Sequence, residues 1–175
     1  MTAYLYAMVG LPCSGKTTCA ERIARKTGAV RFTPDEWHTR LFGHDMDSPE
    51  EHDARHGRVE ALMRDVADSL LCSGVSVILD FGFWAVEERD YLREHARALG
   101  VGFRIYYMDT PMDEIYARLE ARNLSGRTDI FRITRADMEG YLNSWQPPTG
   151  AEADLVRITP EMLNTGDGDN YAIEA

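Results

Sequence analysis

The segment Gly10-Leu11-Pro12-Cys13-Ser14-Gly15-Lys16-Thr17 constrains this chain more than any other. It fits the pattern G-x-x-x-x-G-K-[ST], and its two flanks fit as well. Tyr4 to Val9 is an unbroken apolar run that reads as a buried strand. Thr17 to Lys26 reads as a helix with Cys19, Ala20, Ile23 and Ala24 on one face. A strand that enters a glycine loop and leaves it as a helix lets successive backbone N–H groups turn inward around phosphate oxygens. The helix N-terminus adds its partial positive charge behind them. Lys16 is placed to reach β- and γ-phosphates, and the Thr17 hydroxyl to ligate Mg²⁺. Cys13 lies inside the loop, where its side chain fills space; a redox role there is the weaker reading.

The remaining pattern alternates strand and helix. Strands are expected at Arg31 to Thr33, Val75 to Leu79, Phe103 to Met108 and Leu155 to Ile158. Helices are expected at Pro34 to Leu41, Glu51 to Cys72, Val86 to Leu99, Thr110 to about Asn123, and Thr134 to Trp145. The long helix carries Val59, Leu62, Met63, Val66 and Leu70 as its apolar face. Strands separated by helices imply βαβ units and a mainly parallel sheet, with ligands bound beyond the carboxyl ends of the strands. The expected fold is therefore α/β in three layers, a parallel five-stranded sheet with helices on both faces. One domain spans residues 1–160, followed by an acidic tail over 161–175.

Two carboxylates fall at the same edge of that sheet as the glycine loop. Asp80 ends an apolar strand, where an Asp helps to hold Mg²⁺; the alternative is a turn or cap residue. Asp35 lies just beyond the second strand, in Thr33-Pro34-Asp35-Glu36-Trp37. It reads either as the base for an attacking hydroxyl or as an acid satisfying a helix dipole. The aromatics of Phe81-Gly82-Phe83-Trp84 line an acceptor pocket or pack beneath the next helix, and the letters do not separate the two. From Ile115 to Arg135 the acidic chain turns basic, with Arg118, Arg122, Arg127, Arg132 and Arg135 against Glu120 and Asp129. Arg118 and Arg122 share a helix face. The stretch reads as a lid over about 118–135 that covers transferring oxygens, or as a solvated basic surface. His52 and His56 stand one turn apart near Asp45, Asp47 and Asp53. No H-E-x-x-H pattern accompanies them, and they read as a solvated helix start.

Composition narrows the partners. The 175 residues carry a formal net charge of −10 and a sequence pI of about 4.9. That argues against a partner held by many phosphate contacts, since nucleic-acid binders show a basic patch or stripe. There is no apolar run of about 18 residues, so no membrane partner is expected. The first residues enter the first strand without a signal-peptide pattern, and the cysteines Cys13, Cys19 and Cys72 lack metal spacing. Both point to a cytoplasmic protein. Gly166-Asp167-Gly168-Asp169 lacks the downstream glutamate of a calcium loop. Oligomeric state leaves no mark in the sequence.

Taken together, these residues resemble the small AAA-type P-loop kinase and ATP-binding protein group. That group is related to the kinase domains of polynucleotide 5′-kinases and, more distantly, to zeta-toxin and chloramphenicol phosphotransferase kinases. The matching segments are GLPCSGKTT (Gly10 to Thr18), FTPDEWHTRLFG (Phe32 to Gly43), VILDFGFWAVEERDYLREHARALG (Val77 to Gly100) and RIYYMDTPMDEIYARLEARN (Arg104 to Asn123). The Trp145-Gln146-Pro147-Pro148 turn matches as well. The resemblance implies a P-loop NTPase fold with an arginine-bearing lid, and ATP and Mg²⁺ as cofactors. Gly10, Pro12, Cys13, Ser14, Gly15, Lys16, Thr17 and Thr18 would hold the phosphates, with Arg122 and Pro147 flanking the adenine. Thr17 and Asp80 would hold the metal. Asp35 would be the general base, with Lys16, Arg118, Arg122 and Arg127 as the catalytic cations. Asp35, His38, Asp80, Trp84 and Arg89 would face the acceptor.

One departure bears on the acceptor. Polynucleotide 5′-kinases carry Asp-x-x-Arg, whose arginine grips the acceptor phosphate. Here the third position after Asp35 is His38, and Arg40, five residues on, points away along a helix. The leading expectation is an ATP-dependent kinase for a hydroxyl of a small molecule. The alternatives are a polynucleotide or nucleoside 5′-hydroxyl kinase, and a nucleotide-binding switch with no acceptor of its own.

Overall fold

Six consecutive residues, Tyr4–Val9, form strand β1, and every one after the first is buried. A parallel strand buried on both faces belongs in the middle of a sheet. The other strands are β2 (Val30–Phe32), β3 (Val77–Gly82), β4 (Gly102–Met108) and β5 (Leu155–Ile158). In the computed structural model, which describes residues 2–43, 48–126 and 132–165, the five strands lie in the order β2-β3-β1-β4-β5. Every neighbouring pair is parallel. The helices are α1 (Lys16–Thr27), α2 (Pro34–Phe42), α3 (Pro49–Cys72), α4 (Val86–Leu99), α5 (Met112–Leu124), α6 (Arg135–Ser144) and α7 (Pro160–Thr165).

Side chains of β1 alternate between two cores, as the period of two requires. Leu5, Ala7 and Val9 pack with Val59, Met63, Ala67 and Leu71 of α3 and Leu92 and Ala96 of α4. Tyr6 and Met8 point the other way, onto Cys19, Ala20 and Ile23 of α1 and Leu163 of α7. Helices therefore cover both faces, as expected. A third cluster joins Leu11 to Ile115 and Leu119 of α5 and Met138 of α6. It seats those two helices beyond the carboxyl edge of the sheet.

Three local expectations are corrected. The buried stripe of α3 is Val59, Met63, Ala67 and Leu71, whereas Leu62 and Val66 are exposed. The helix approaches the sheet along a narrow i, i+4 row, in which the small Ala67 permits close contact. β3 begins two residues later than read and runs on to Gly82. The N–H of Val75 instead donates to Leu70 O at 2.9 Å to close α3. Residues 161–165 of the expected tail belong to α7, because Leu163 is buried against the sheet. The rest of that tail, 166–175, lies outside the described residues.

Arg89 is a further correction. It is fully buried on α4. Its Nε and Nη2 each donate at 3.0 Å to a different carboxylate oxygen of Glu152. Its Nη1 donates to the carbonyls of Phe83 at 3.2 Å and Trp84 at 3.1 Å. Arg89 thus ties the turn after β3 to the segment before β5, and faces neither a phosphate nor an acceptor. Glu152→Ala would strand this guanidinium in the interior, at a cost of about 3–5 kcal/mol. The melting temperature is expected to fall by on the order of 10 °C. Pairing that change with Arg89→Met should recover much of the loss, because no orphan charge remains; thermal unfolding of the two variants checks this.

Candidate active site

β1 ends in a loop whose backbone only particular residues tolerate. Gly10 has φ +153°, and a Cβ there would lie 2.6 Å from Ser14 Oγ and 3.1 Å from Met108 Cβ. Gly15 has φ +102°, and a Cβ there would lie 2.9 Å from Leu163 Cδ1. Cys13 adopts φ 63°, a left-handed conformation that L residues seldom take. The loop therefore folds inward on itself. Ser14 N donates to Leu11 O at 3.2 Å, and Lys16 Nζ donates to the carbonyls of Gly10 and Leu11, both at 2.9 Å. α1 begins at Gly15 with no side-chain cap and no acid in its first turn, unlike α3 and α6, which carry serine and threonine caps. Its first N–H groups are thereby left for an anion. The buried Ser14 Oγ has no hydrogen-bond partner either.

The neighbouring strands and helices fasten this loop. Trp84 Nε1 donates to Gly10 O at 3.1 Å, and Gly10 N donates to Gly82 O at 3.3 Å. Thr110 Oγ1 donates to Ser14 O at 2.8 Å. From α5, Arg118 Nη1 donates to Cys13 O at 3.3 Å and Arg122 Nη1 reaches Cys13 Sγ at 3.8 Å. Both arginines thus converge on the loop from a regular helix. Arg127 and the rest of 127–131 lie outside the described residues. Arg135 pairs at the surface with Glu120 at 2.9 Å.

Asp80 lies within β3, two residues before its end, with only 5% of its surface exposed. Thr33 Oγ1 donates to its Oδ2 at 3.3 Å, and Arg31 Nη1 stands 3.7 Å from the same oxygen. The Thr17 hydroxyl favours the ionised form of this carboxylate as well. Burial pushes the Asp80 carboxyl up to about 6, against the opposing pull of Lys16, Thr17, Arg31 and Thr33. Its Oδ1 is buried without a partner. A hydroxyl and a carboxylate with an uncommitted oxygen are the hard donors that Mg²⁺ takes, so Thr17 and Asp80 fit that ion. Arg31 and Thr33 carry no recognisable motif; only the pairing of β2 with β3 brings them here.

Asp35 sits in the first turn of α2 with its side chain exposed. Lys16 and Arg122 both act on it electrostatically and lower its carboxyl, together with a hydrogen bond from His56, against the raising effect of burial. Burial lowers the Lys16 ammonium, and Asp80 and Asp35 oppose that. Lys16, Asp80, Asp35 and Arg122 therefore share one electrostatic neighbourhood, drawn from four elements. Tyr141 of α6 joins them: its ring centroid is 4.8 Å from that of Trp84, and it lies within the field of Asp35 and Arg122. Nothing near Tyr141 in the sequence announces this.

Other expectations change. His38 is fully buried, its ring centroid 4.4 Å from His52 and 5.1 Å from Phe42, so it backs the acceptor side without lining it. Trp84 braces the glycine loop through its indole N–H, and its ring meets that of Tyr141 at a tilt of 50°. His52 and His56 are half-buried between α2 and α3, not solvated. Among the described residues no His, Cys, Asp or Glu group has the arrangement of a metal site. Pro147 is exposed after α6, in the turn where Gln146 N donates to Trp84 O at 3.1 Å.

The raised carboxyl of Asp80 carries a stability consequence with a definite sign. An acid whose pKa rises on folding destabilises the fold once it is ionised. Stability should therefore fall as pH climbs from about 4 to about 6 and stay low above that. In chelator, Asp80→Asn is expected to melt higher than the parent at pH 8 and close to it at pH 4.5. Added Mg²⁺ should stabilise the parent and leave the variant unchanged. Thermal unfolding at the two pH values, with and without the ion, reads both effects.

The AAA domain family profile matches residues 5–148. No curated protein matches the sequence significantly. Among solved structures, a candidate kinase from Chloroflexus aurantiacus is 18% identical, with 97% of this chain and 96% of that one aligned at a TM-score of 0.75. A sugar kinase from Janibacter is 21% identical over 95% and 92% of the two chains, at 0.61. The APS kinase of Mycobacterium tuberculosis, solved with AMPPNP and APS, is 21% identical over 96% and 97%, at 0.58. At such identities these likenesses establish the fold. With the loop, sheet order and buried carboxylate described above, the chain belongs to the AAA domain family as a small P-loop protein of kinase-like fold.

Proposed function

We propose that this protein is an ATP-dependent kinase that moves the γ-phosphoryl group to a hydroxyl of a small molecule. The observation that carries the reading is the gathering of Lys16, Asp80, Asp35 and Arg122 at the carboxyl edge of the sheet. A cationic loop for phosphates and an ionised carboxylate facing it are the two halves that phosphoryl transfer needs. The loop N–H groups and Lys16 would hold the phosphates. Thr17 and Asp80 would hold Mg²⁺, which when bound spreads the charge of the β- and γ-oxygens. Asp35, its carboxyl lowered by His56, Lys16 and Arg122 against the effect of burial, would accept the proton as the acceptor oxygen bonds to phosphorus and the bond to ADP breaks. Arg118 and Arg122 supply positive charge beside the loop without leaving their helix.

A small acceptor is favoured over a nucleic acid for two reasons. The net charge of −10 opposes a polyanion. His38 occupies the position where polynucleotide 5′-kinases place an arginine, and it is buried.

The assay is Mg-ATP turnover against a panel of hydroxyl compounds that includes sugars, nucleosides, antibiotics and a 5′-hydroxyl oligonucleotide. Labelled phosphate on one small compound supports the reading, and labelled oligonucleotide replaces it. Binding of ATP with no transfer to any acceptor would favour a switch. Lys16→Ala is expected to lower turnover by about 10²–10³-fold, with the fold retained, from the loss of a charge aimed at the transferring group. Asp35→Asn should lower transfer by about 10²–10⁴-fold while ATP affinity, followed by calorimetry, stays near that of the parent.

A further inference from the structure

The acceptor side contains a row of charges that the transfer chemistry above does not use. His56 Nε2 lies 3.3 Å from Asp35 Oδ1, and His56 Nδ1 lies 3.6 Å from Glu60 Oε1. Glu60 is itself held, because its Oε2 accepts from Arg64 Nη2 at 3.0 Å. Arg64 rests its guanidinium over the Phe81 ring, 5.5 Å from the centroid. His56, Glu60 and Arg64 are spaced four apart, so α3 lines them up on one face. The outcome is an imidazole with a carboxylate at each ring nitrogen, one of them the proposed base.

We propose that His56 is a positioning residue for Asp35: held as an imidazolium between Asp35 and Glu60, it fixes the Asp35 carboxylate through Oδ1 and leaves Oδ2 for the acceptor hydroxyl. The inference rests on the reading of Asp35 as the base. A carboxylate in the first turn of a helix, exposed as Asp35 is, has several rotamers to choose from. One charge-assisted hydrogen bond from a half-buried ring selects among them. The outer carboxylate serves a second purpose. With Glu60 at Nδ1, loss of the ring proton is opposed at both nitrogens, which favours the charged ring that donates to Asp35.

The surroundings support the charged form. His56 faces Asp35 from α2 and Asp53 and Glu60 from its own helix, with the rings of His38 and His52 each centred 5.8 Å away. Lys16 from α1 and Arg122 from α5 act on Asp35 from its other side. Tyr141 of α6 lies within the field of Asp35 and Asp53. The bond with Asp35 raises the His56 imidazole above the ordinary histidine range, against its burial. Asp35 is lowered and His56 raised, so each favours the charged form of the other. The pair is lost as pH falls through the Asp35 value or rises through the His56 value.

Two measurements on the full chain test this. The first follows the Cε1–H resonance of His56 by NMR against pH. It is expected to titrate above the ordinary histidine value and to move down in both Asp35→Asn and Glu60→Gln. Titration at the ordinary value, unmoved by either change, overturns the proposal. The second measures steady-state Mg-ATP hydrolysis, with water as acceptor, from pH 5 to 9. His56→Ala should lose about ten- to a hundred-fold in kcat, the worth of one charge-assisted hydrogen bond, with KM for ATP nearly unchanged. His56→Gln, which keeps an N–H donor without the titrating proton, should recover part of that loss and lose the alkaline fall in rate. An unaltered rate and pH profile in both variants overturns the positioning role. If Asp35→Asn is inactive and the His56 variants resemble the parent, only this inference fails. If Asp35→Asn retains the parent rate, the base assignment fails and the positioning role falls with it.

Discussion

A carboxylate inside a sheet has to be compensated, and at Asp80 the compensation assembles much of the site. The strand pairing places this group between β1 and β2, out of contact with bulk water. Nearly every polar group within reach therefore comes to it: Thr33 and Arg31 from one side, Thr17 and Lys16 from the other. Those last two belong to the glycine loop. The same charge that is costly to bury thus orients the first turn of α1 and its lysine. The uncommitted Oδ1 marks where the compensation stops short and a cation would complete it.

The central part of the fold was legible because it follows from strong local rules. An apolar strand, a loop with two glycines at positive φ and an amphipathic helix specify one another over some twenty residues. The sheet with helices on both faces followed from the alternation alone. The register of α3 was not legible, since Leu62 and Val66 look as apolar as the positions that are buried. Only packing against β1 decides that Ala67 and Leu71 go inside. α7 escaped notice because six residues of modest hydrophobicity carry no periodic signal. Its burial depends on a surface made by distant segments.

The site divides along the same line. Lys16, Thr17 and Asp80 sit in or beside regular elements, so their places at the sheet edge can be read from the sequence pattern. The acceptor side is built from α2, α3, α6 and the turn after β3, none of which specifies another in sequence. Hence Arg89 looked like an acceptor ligand and is a buried strut for Glu152. Hence also His52 and His56 looked like a solvated helix start, although the crossing of α2 and α3 turns them toward His38 and Asp35. A charged residue in a helix keeps the same letter whether it faces water or a second carboxylate.

The contact of α7 with the glycine loop has a consequence for biosynthesis. Leu163 packs directly against Gly15, and Arg22 of α1 donates to the Leu163 carbonyl at 2.6 Å. The loop leaves the ribosome well before α7, which supplies part of its backing. Nascent chains that have formed β1 to β4 therefore carry a complete motif without its full support. The loop should therefore reach its final form only once α7 has docked.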